Sequence, residues 1–241
     1  VSAFDPSLIG DFAVWYVVFL FSLTLHEGAH ALFAYLGGDD TAYRGGQVSL
    51  NPVPHITREP FGTVLVPALS FFSMGWMMGW ATTPYDPGWG QRHPRRQALM
   101  SLAGPAANFL IAVLAFLALR FLLATGTLEA PGRASFSHIA SPPAGTPPDS
   151  WLVPLALCLS VALNLNVLLG LFNLIPLPPL DGAGAVEGLA PGFGARILAP
   201  LRSSPMLSLL SLLAAWQLFG RFVSPAFSLL LRLLHPDLTY S

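Results

Sequence analysis

Residues 12 to 36 read FAVWYVVFLFSLTLHEGAHALFAYL, an apolar run interrupted only by His26, Glu27 and His30 among charged or imidazole side chains. Its length decides how it is read. About 20 apolar residues are enough to cross the ~30 Å hydrocarbon core of a bilayer, whereas a surface helix of a soluble domain keeps only one apolar stripe. The run is therefore a predicted membrane span. It is longer than the apolar core of a signal peptide, and its ionisable residues mark it as retained in the mature protein. The glycines of Gly37-Gly38-Asp39-Asp40 stop it.

The rest of the chain has the same character. Of 241 residues, 54% are hydrophobic and 10% charged, against roughly 25% charged in an average soluble domain. Further apolar stretches cover 61–80, 97–123, 151–172 and 206–234. Together they predict an all-α polytopic membrane protein, read as a single integral-membrane domain over 1–241. Stretch 61–80 is broken by Gly62, Pro67, Gly75 and Gly79. In 97–123, Pro105 is expected to open the regular helix. Gly220-Arg221 and Pro225 divide 206–234 into either one kinked span or a span followed by an interfacial helix.

The connections are polar. Residues 41–60 contain Gly45-Gly46 and the alternating Gln47-Val48-Ser49-Leu50, which predict a short hairpin. Residues 81–96 form a Pro/Gly-rich loop with three arginines, and 124–150, with five prolines, a flexible extended loop too short for a domain. The formal net charge is −1 and the eleven basic residues, all arginine, are scattered, so no nucleic-acid partner is indicated. Cys158 is the only cysteine, which excludes an internal disulfide and a thiolate cluster. Any metal must be held by nitrogen and oxygen.

His26-Glu27-Gly28-Ala29-His30 is an HExxH sequence on a predicted helix. Imidazoles at i and i+4 project from one face and can reach a single ion, and Glu27 is left beside the open coordination position. Zinc lowers the pKa of its water to about 7, and a carboxylate placed there can take the proton and pass it to a leaving amine. The bland alternative is three structural polar residues. In hydrocarbon each costs on the order of 2.5 kcal/mol unless paired or solvated, and one metal ion accounts for all three.

Zinc needs a third protein ligand. His55, His93, His138 and His235 lie in loops or at segment ends, whereas Asp181 directly follows an apolar segment broken by Pro176, Pro178 and Pro179. Irregular backbone at membrane depth is tolerated where it lines a cavity, which favours Asp181 as the ligand over a role as a helix cap.

Three motifs carry a resemblance: HEGAH at 26–30, AGPAAN at 103–108 and NLIPLPPLDG at 173–182. With them the chain resembles the site-2 protease family of intramembrane zinc metalloproteases. NPVPH at 51–55 and GWA at 79–81 resemble its compact prokaryotic branch without a PDZ domain. The resemblance covers residues from about 15 to 190. It implies a three-helix catalytic core, one zinc ion on His26, His30 and Asp181, and hydrolysis of peptide bonds in or next to transmembrane segments. It also implies substrate-binding roles for Asn173, Asn108 and His55. The chain departs from the family's usual pattern at Thr82-Thr83-Pro84-Tyr85-Asp86-Pro87, so no role is carried over for that loop.

Topology follows from the metal. The HExxH end of the first segment and the Asp181 end of the fourth must meet, so one intervening segment should fail to cross, and the interrupted 61–80 is predicted to be re-entrant or bent. Arg44, Arg58, Arg92, Arg95, Arg96, Arg196 and Arg202 then share one face, opposite Arg120, Arg133 and Arg232. By the positive-inside rule this is a multi-pass protein of the inner (plasma) membrane with its site toward the cytoplasm and the 124–150 loop outside. The expected partners are membrane-protein substrates with a transmembrane segment, the lipid bilayer and a regulatory membrane protein. A catalytically idle relative acting as a membrane-protein binding or assembly subunit is the second reading. A zinc-binding transport component is the third, disfavoured because ionisable residues gather at one site only.

Overall fold

The structure is a computed structural model, and it describes residues 6–237. The elements in chain order are α1 (Pro6–Leu36), α2 (Thr41–Arg44), α3 (Val53–Arg58), a π-helical turn (Phe61–Leu65) continuing into α4 (Val66–Met74), α5 (Pro87–Arg92), α6 (Pro94–Ala124), α7 (Leu152–Asn173), α8 (Asp181–Leu189), α9 (Pro191–Phe193), a second π-helical turn (Gly194–Leu198), α10 (Ala199–Ser203) and α11 (Pro205–Leu234). No β-strand occurs among the described residues; the isolated bridges pair Glu129 with Ser141 and Ser135 with His138.

Four helices, α1, α6, α7 and α11, are long and apolar enough to cross a membrane. At 1.5 Å per residue the 22 residues of α7 reach about 33 Å, and the 31 of α1 and of α6 about 46 Å. The apolar helix Phe61–Met74 is shorter, about 21 Å at the same rise, and does not match the ~30 Å hydrocarbon core.

Helix α6 is the centre of the bundle and packs against α1, α7 and α8. Its sequence permits the approach: Ala103, Gly104 and Pro105 are buried, and on α1 Ala31 and Ala34 are fully buried. Small residues let helix backbones come close where lipid supplies no hydrophobic drive between helices. One core cluster joins Trp15, Val18 and Phe19 of α1 to Phe71, Met77, Val161 and Leu165. A second joins Ala112, Ala115 and Leu119 of α6 to Leu163, Leu231 and Leu234, and takes in Leu128, Ile139 and Ala140 from the long loop. The proline-rich 124–150 segment is thus seated against the bundle by three buried apolar side chains.

Two local expectations are corrected, and a third, left between two forms, takes the first of them. The 44–50 region is not a hairpin: it follows the single turn of α2, and the Gln47 side chain donates to the Thr82 carbonyl, taking Gln47 out of the alternating pattern. Pro105 does not open α6. The helix starts at Pro94, a proline at its first position, where the missing N–H costs nothing, and it runs through Pro105. The C-terminal stretch is one helix, with Pro225 inside it.

Candidate metal centre

His26 and His30 sit one turn apart on α1, both buried, with ring centroids 4.6 Å apart and planes at 81°. Each ring is tied at Nδ1. His30 Nδ1 donates to the Met100 carbonyl at 2.7 Å, and His26 Nδ1 donates to Asn108 Oδ1 at 2.6 Å, both partners lying on α6. A carbonyl oxygen can only accept, so the proton sits on Nδ1 and a bare lone pair remains on Nε2. Tying the remote nitrogen is how metal-binding imidazoles are oriented and made more basic.

The two Nε2 atoms face one another at 3.0 Å, and Asp181 Oδ2 lies 3.1 Å from that of His26 and 3.3 Å from that of His30. Asp181 opens α8, after a tight stretch in which the Pro178–Pro179 peptide is cis. Gly184 and Gly188 put a small face of α8 against Ser101 and Ala98 of α6, too close for any side chain, and this seats the helix.

Asp181 Oδ2 is buried without a hydrogen-bond partner although it lies within 3.3 Å of two ring nitrogens. The tautomers explain the apparent conflict, because neither Nε2 carries a proton to give. Three lone pairs therefore converge, and a cation is what satisfies them. Ligand atoms 2.0–2.1 Å from a tetrahedral zinc ion lie about 3.3 Å apart, close to the 3.0, 3.1 and 3.3 Å found here. The donor set of two imidazoles and a carboxylate is one that zinc accepts. The residues fit the metal. Gly104 of α6 forms one wall, where a methyl group would overlap the Nε2 atoms of both histidines.

Glu27 is buried beside this cluster, its carboxylate oxygen within 4.8 Å of the histidine nitrogens. Thr83 Oγ1 donates to Glu27 Oε2 at 2.7 Å and also lies 2.9 Å from the Glu27 carbonyl. Thr83 belongs to the irregular stretch 81–86 that the sequence left without a role. Thr82 next to it donates to Glu59 Oε1 at 2.8 Å and accepts at its carbonyl from Gln47, which pins the segment over the site.

The other sequence candidates are placed differently. Asn108 is fully buried and turns its Oδ1 to His26 Nδ1. His55 on α3 is buried, and neither ring nitrogen has a hydrogen-bond partner; the Ser49 backbone is near but not aligned for one. Asn173, half-buried at the end of α7, donates to the Leu169 carbonyl at 3.1 Å. Thr83, the Met100 carbonyl and Gly104 were not singled out from sequence. The AGPAAN motif pointed at the neighbourhood of the last two, while nothing pointed at Thr83.

The profile of peptidase family M50 matches residues 14–202, a stretch that contains every residue of this centre. The chain belongs to that family, the site-2 protease family. It is similar to "Putative zinc metalloprotease YwhC" of Bacillus subtilis, 36% identical over 176 residues, which are 73% of this chain and 68% of the relative. It is also similar to "Putative zinc metalloprotease Rip2" of Mycolicibacterium smegmatis, 30% identical over 210 residues covering 86% of this chain and 69% of the relative. The protein of that name from Mycobacterium tuberculosis is 30% identical over 213 residues, 88% and 71% of the two chains. No solved structure matches the chain. Family membership and the four apolar helices make this M50 chain a multi-pass membrane protein of a metalloprotease family.

Proposed function

We propose that this M50 chain is an intramembrane endopeptidase that holds one zinc ion on His26, His30 and Asp181 and hydrolyses peptide bonds in or next to transmembrane segments of membrane proteins. The observation that carries the reading is the convergence of three buried lone pairs at 3.0–3.3 Å, with the Glu27 carboxylate beside them. The placement of this cluster near the end of one long apolar helix and just past the end of another supports a membrane-embedded substrate.

Bound zinc supplies a Lewis acid that polarises the scissile carbonyl and lowers the pKa of a water to about 7. Glu27 is the group placed to take a proton from the attacking water and deliver it to the leaving amine. Thr83, donating to Oε2, holds the carboxylate so that its other oxygen is left for that exchange. Asn108 and Met100 keep the imidazoles in the tautomer that presents Nε2. The half-buried Asn173 is the accessible one of the three substrate-binding candidates; His55, like Asn108, is buried.

The arginine distribution supports a site facing the cytoplasm in the inner (plasma) membrane, with Phe61–Met74 as a re-entrant element. The partners of this reading are membrane-protein substrates with a transmembrane segment, together with a regulatory membrane protein. The test is incubation of the purified chain and of Glu27→Gln with a panel of single-span substrates in detergent or bilayers. Glu27→Gln should keep zinc, since the side chain is not a ligand, and lose activity by at least about 100-fold. A wild-type chain that binds zinc and cleaves nothing in the panel would favour the idle, assembly-subunit reading.

A further inference from the structure

Behind Asn108 the polar contacts continue. Asn108 Nδ2 donates to Asn166 Oδ1 on α7 at 2.8 Å, and Asn166 Nδ2 donates both to the Ala162 carbonyl and to Ser22 Oγ on α1, each at 2.8 Å. Ser22 Oγ in turn donates to the Val18 carbonyl at 2.7 Å. Ser22, Asn108 and Asn166 are all fully buried. Ser22 lies one turn before His26 on the same face of α1, so the chain of bonds leaves α1, crosses α7 and α6 and returns to α1 at the ligand.

An amide side chain can present either end, and the two ends have opposite hydrogen-bonding sense. Here the sense is fixed from outside. The Ala162 carbonyl can only accept, so the end of Asn166 that faces it must be the NH2. The Val18 carbonyl takes the Ser22 proton, which leaves the Ser22 oxygen to accept from that same NH2. The other end of Asn166 is then its oxygen, and the end of Asn108 that meets it must be an NH2. Asn108 therefore turns its oxygen to His26, Nδ1 must be the protonated nitrogen, and Nε2 is free for a metal. His30 needs no such arrangement, because its Nδ1 meets the Met100 carbonyl directly.

We infer that Asn166 is a positioning residue for the metal centre, setting the amide orientation of Asn108 and through it the tautomer and metal affinity of His26. The inference rests on the zinc reading above. It separates orientation from bulk packing, because a carboxylate at 108 presents an acceptor to His26 whichever way it turns; the cost of its second oxygen facing Asn166 Oδ1 is carried by the Asn108→Asp single variant, against which the double variant is compared.

The experiment measures zinc dissociation constants by chelator competition on the full chain in detergent, for wild type, Asn166→Leu, Asn108→Asp and the double variant. Asn166→Leu should weaken zinc by about 10-fold or more, the usual scale for losing a group that orients a metal-binding histidine. In the Asn108→Asp background the same change should cost less than about 2-fold, which is the rescue the orientation argument requires. The imidazole nitrogen shifts of His26 should show a protonated Nδ1 in wild type and a mixture of tautomers in Asn166→Leu. Asn166→Ala, which adds no bulk between the helices, carries the same expectation if the leucine variant does not fold. Equal zinc affinity in wild type and Asn166→Leu, or an equal loss in both backgrounds, overturns the assignment while leaving the zinc reading intact. A wild-type chain without zinc affinity removes both.

Discussion

Thr83 Oγ1 and Glu27 Oε2 lie 2.7 Å apart, so a hydroxyl 56 residues away in sequence is bonded to the carboxylate of HExxH. A hydrogen bond to a charged group contributes about 1.5–3 kcal/mol. Thr83→Val, which keeps the shape and removes the donor, should therefore lower kcat by about 10-fold or more with zinc content unchanged, and Thr83→Ser should restore most of it. Cleavage rates alongside metal analysis decide the point. Full activity in the valine variant would mean that Glu27 needs no such restraint.

Gly104→Ala isolates the wall of the metal site. In a helix interior alanine is favoured over glycine by about 1 kcal/mol, so the backbone loses nothing. The added methyl meets both Nε2 atoms. Zinc affinity should fall by at least about 10-fold, and the overlap with the two buried rings should also lower the thermal midpoint of the metal-free protein despite the better helix propensity. Competition titration and a melting curve read the two effects separately, and tight zinc binding would contradict the geometry.

Replacing any one of the three donors should abolish stable zinc binding, since a site with three protein ligands loses most of its affinity with one of them. Asp181→Ala is the discriminating case, because the aspartate is remote from HExxH in sequence. Full metal occupancy in that variant would strike Asp181 from the ligand set.

His55 predicts a pH effect. Burial pushes its imidazole pKa down, against the opposing pull of Glu27 and the Ser49 backbone. The folded protein thus holds His55 neutral where the unfolded chain already binds a proton. Stability should fall as pH drops through the ordinary histidine range near 6.5, and this contribution should disappear in His55→Phe. The unfolding midpoint of metal-free protein between pH 7.5 and 5.5 measures it. The same slope in both proteins would assign the effect elsewhere.

Substrate conformation gives a further expectation. A peptide bond inside an intact helix has its carbonyl hydrogen-bonded and its flanks covered by side chains, so the helix must open before hydrolysis. Spans carrying Gly, Pro or Asn near their cytoplasmic end should be cut, and uniform polyleucine spans should resist by at least about 10-fold. Equal rates for the two in an otherwise identical substrate would show that unwinding is not limiting.

The helical bundle and the meeting of His26, His30 and Asp181 were legible because each rests on a local signal. Apolar runs report spans, the i, i+4 histidines report a shared face, and an aspartate after proline-broken apolar sequence reports an unwound end. What was not legible depends on contacts between distant segments. Nothing in residues 81–86 announces that Thr83 reaches Glu27, and nothing near Met100 announces that its carbonyl orients His30. The alternation at Gln47-Val48-Ser49-Leu50 was too short to define a strand once the Gln47 amide had a carbonyl on another segment to bind. Asn108 was found by its motif while its contact with His26 was not, because a motif marks that a residue matters and leaves open what it touches.

On the proposed activity, the length of α1 bears on where a substrate would be cut. The helix reaches about 46 Å, some 16 Å more than the hydrocarbon it crosses, and His30 lies six residues, or about 9 Å, short of its end at Leu36. The metal centre is therefore held at a fixed depth measured from one end of a rigid rod. Hydrophobic mismatch settles how that rod tilts and how far it stands out of the bilayer. On the proposed activity, lipid thickness then becomes a determinant of cleavage register: the bond cut would be the one the membrane brings to that depth, and a thicker bilayer would move it along the substrate without any change in either protein.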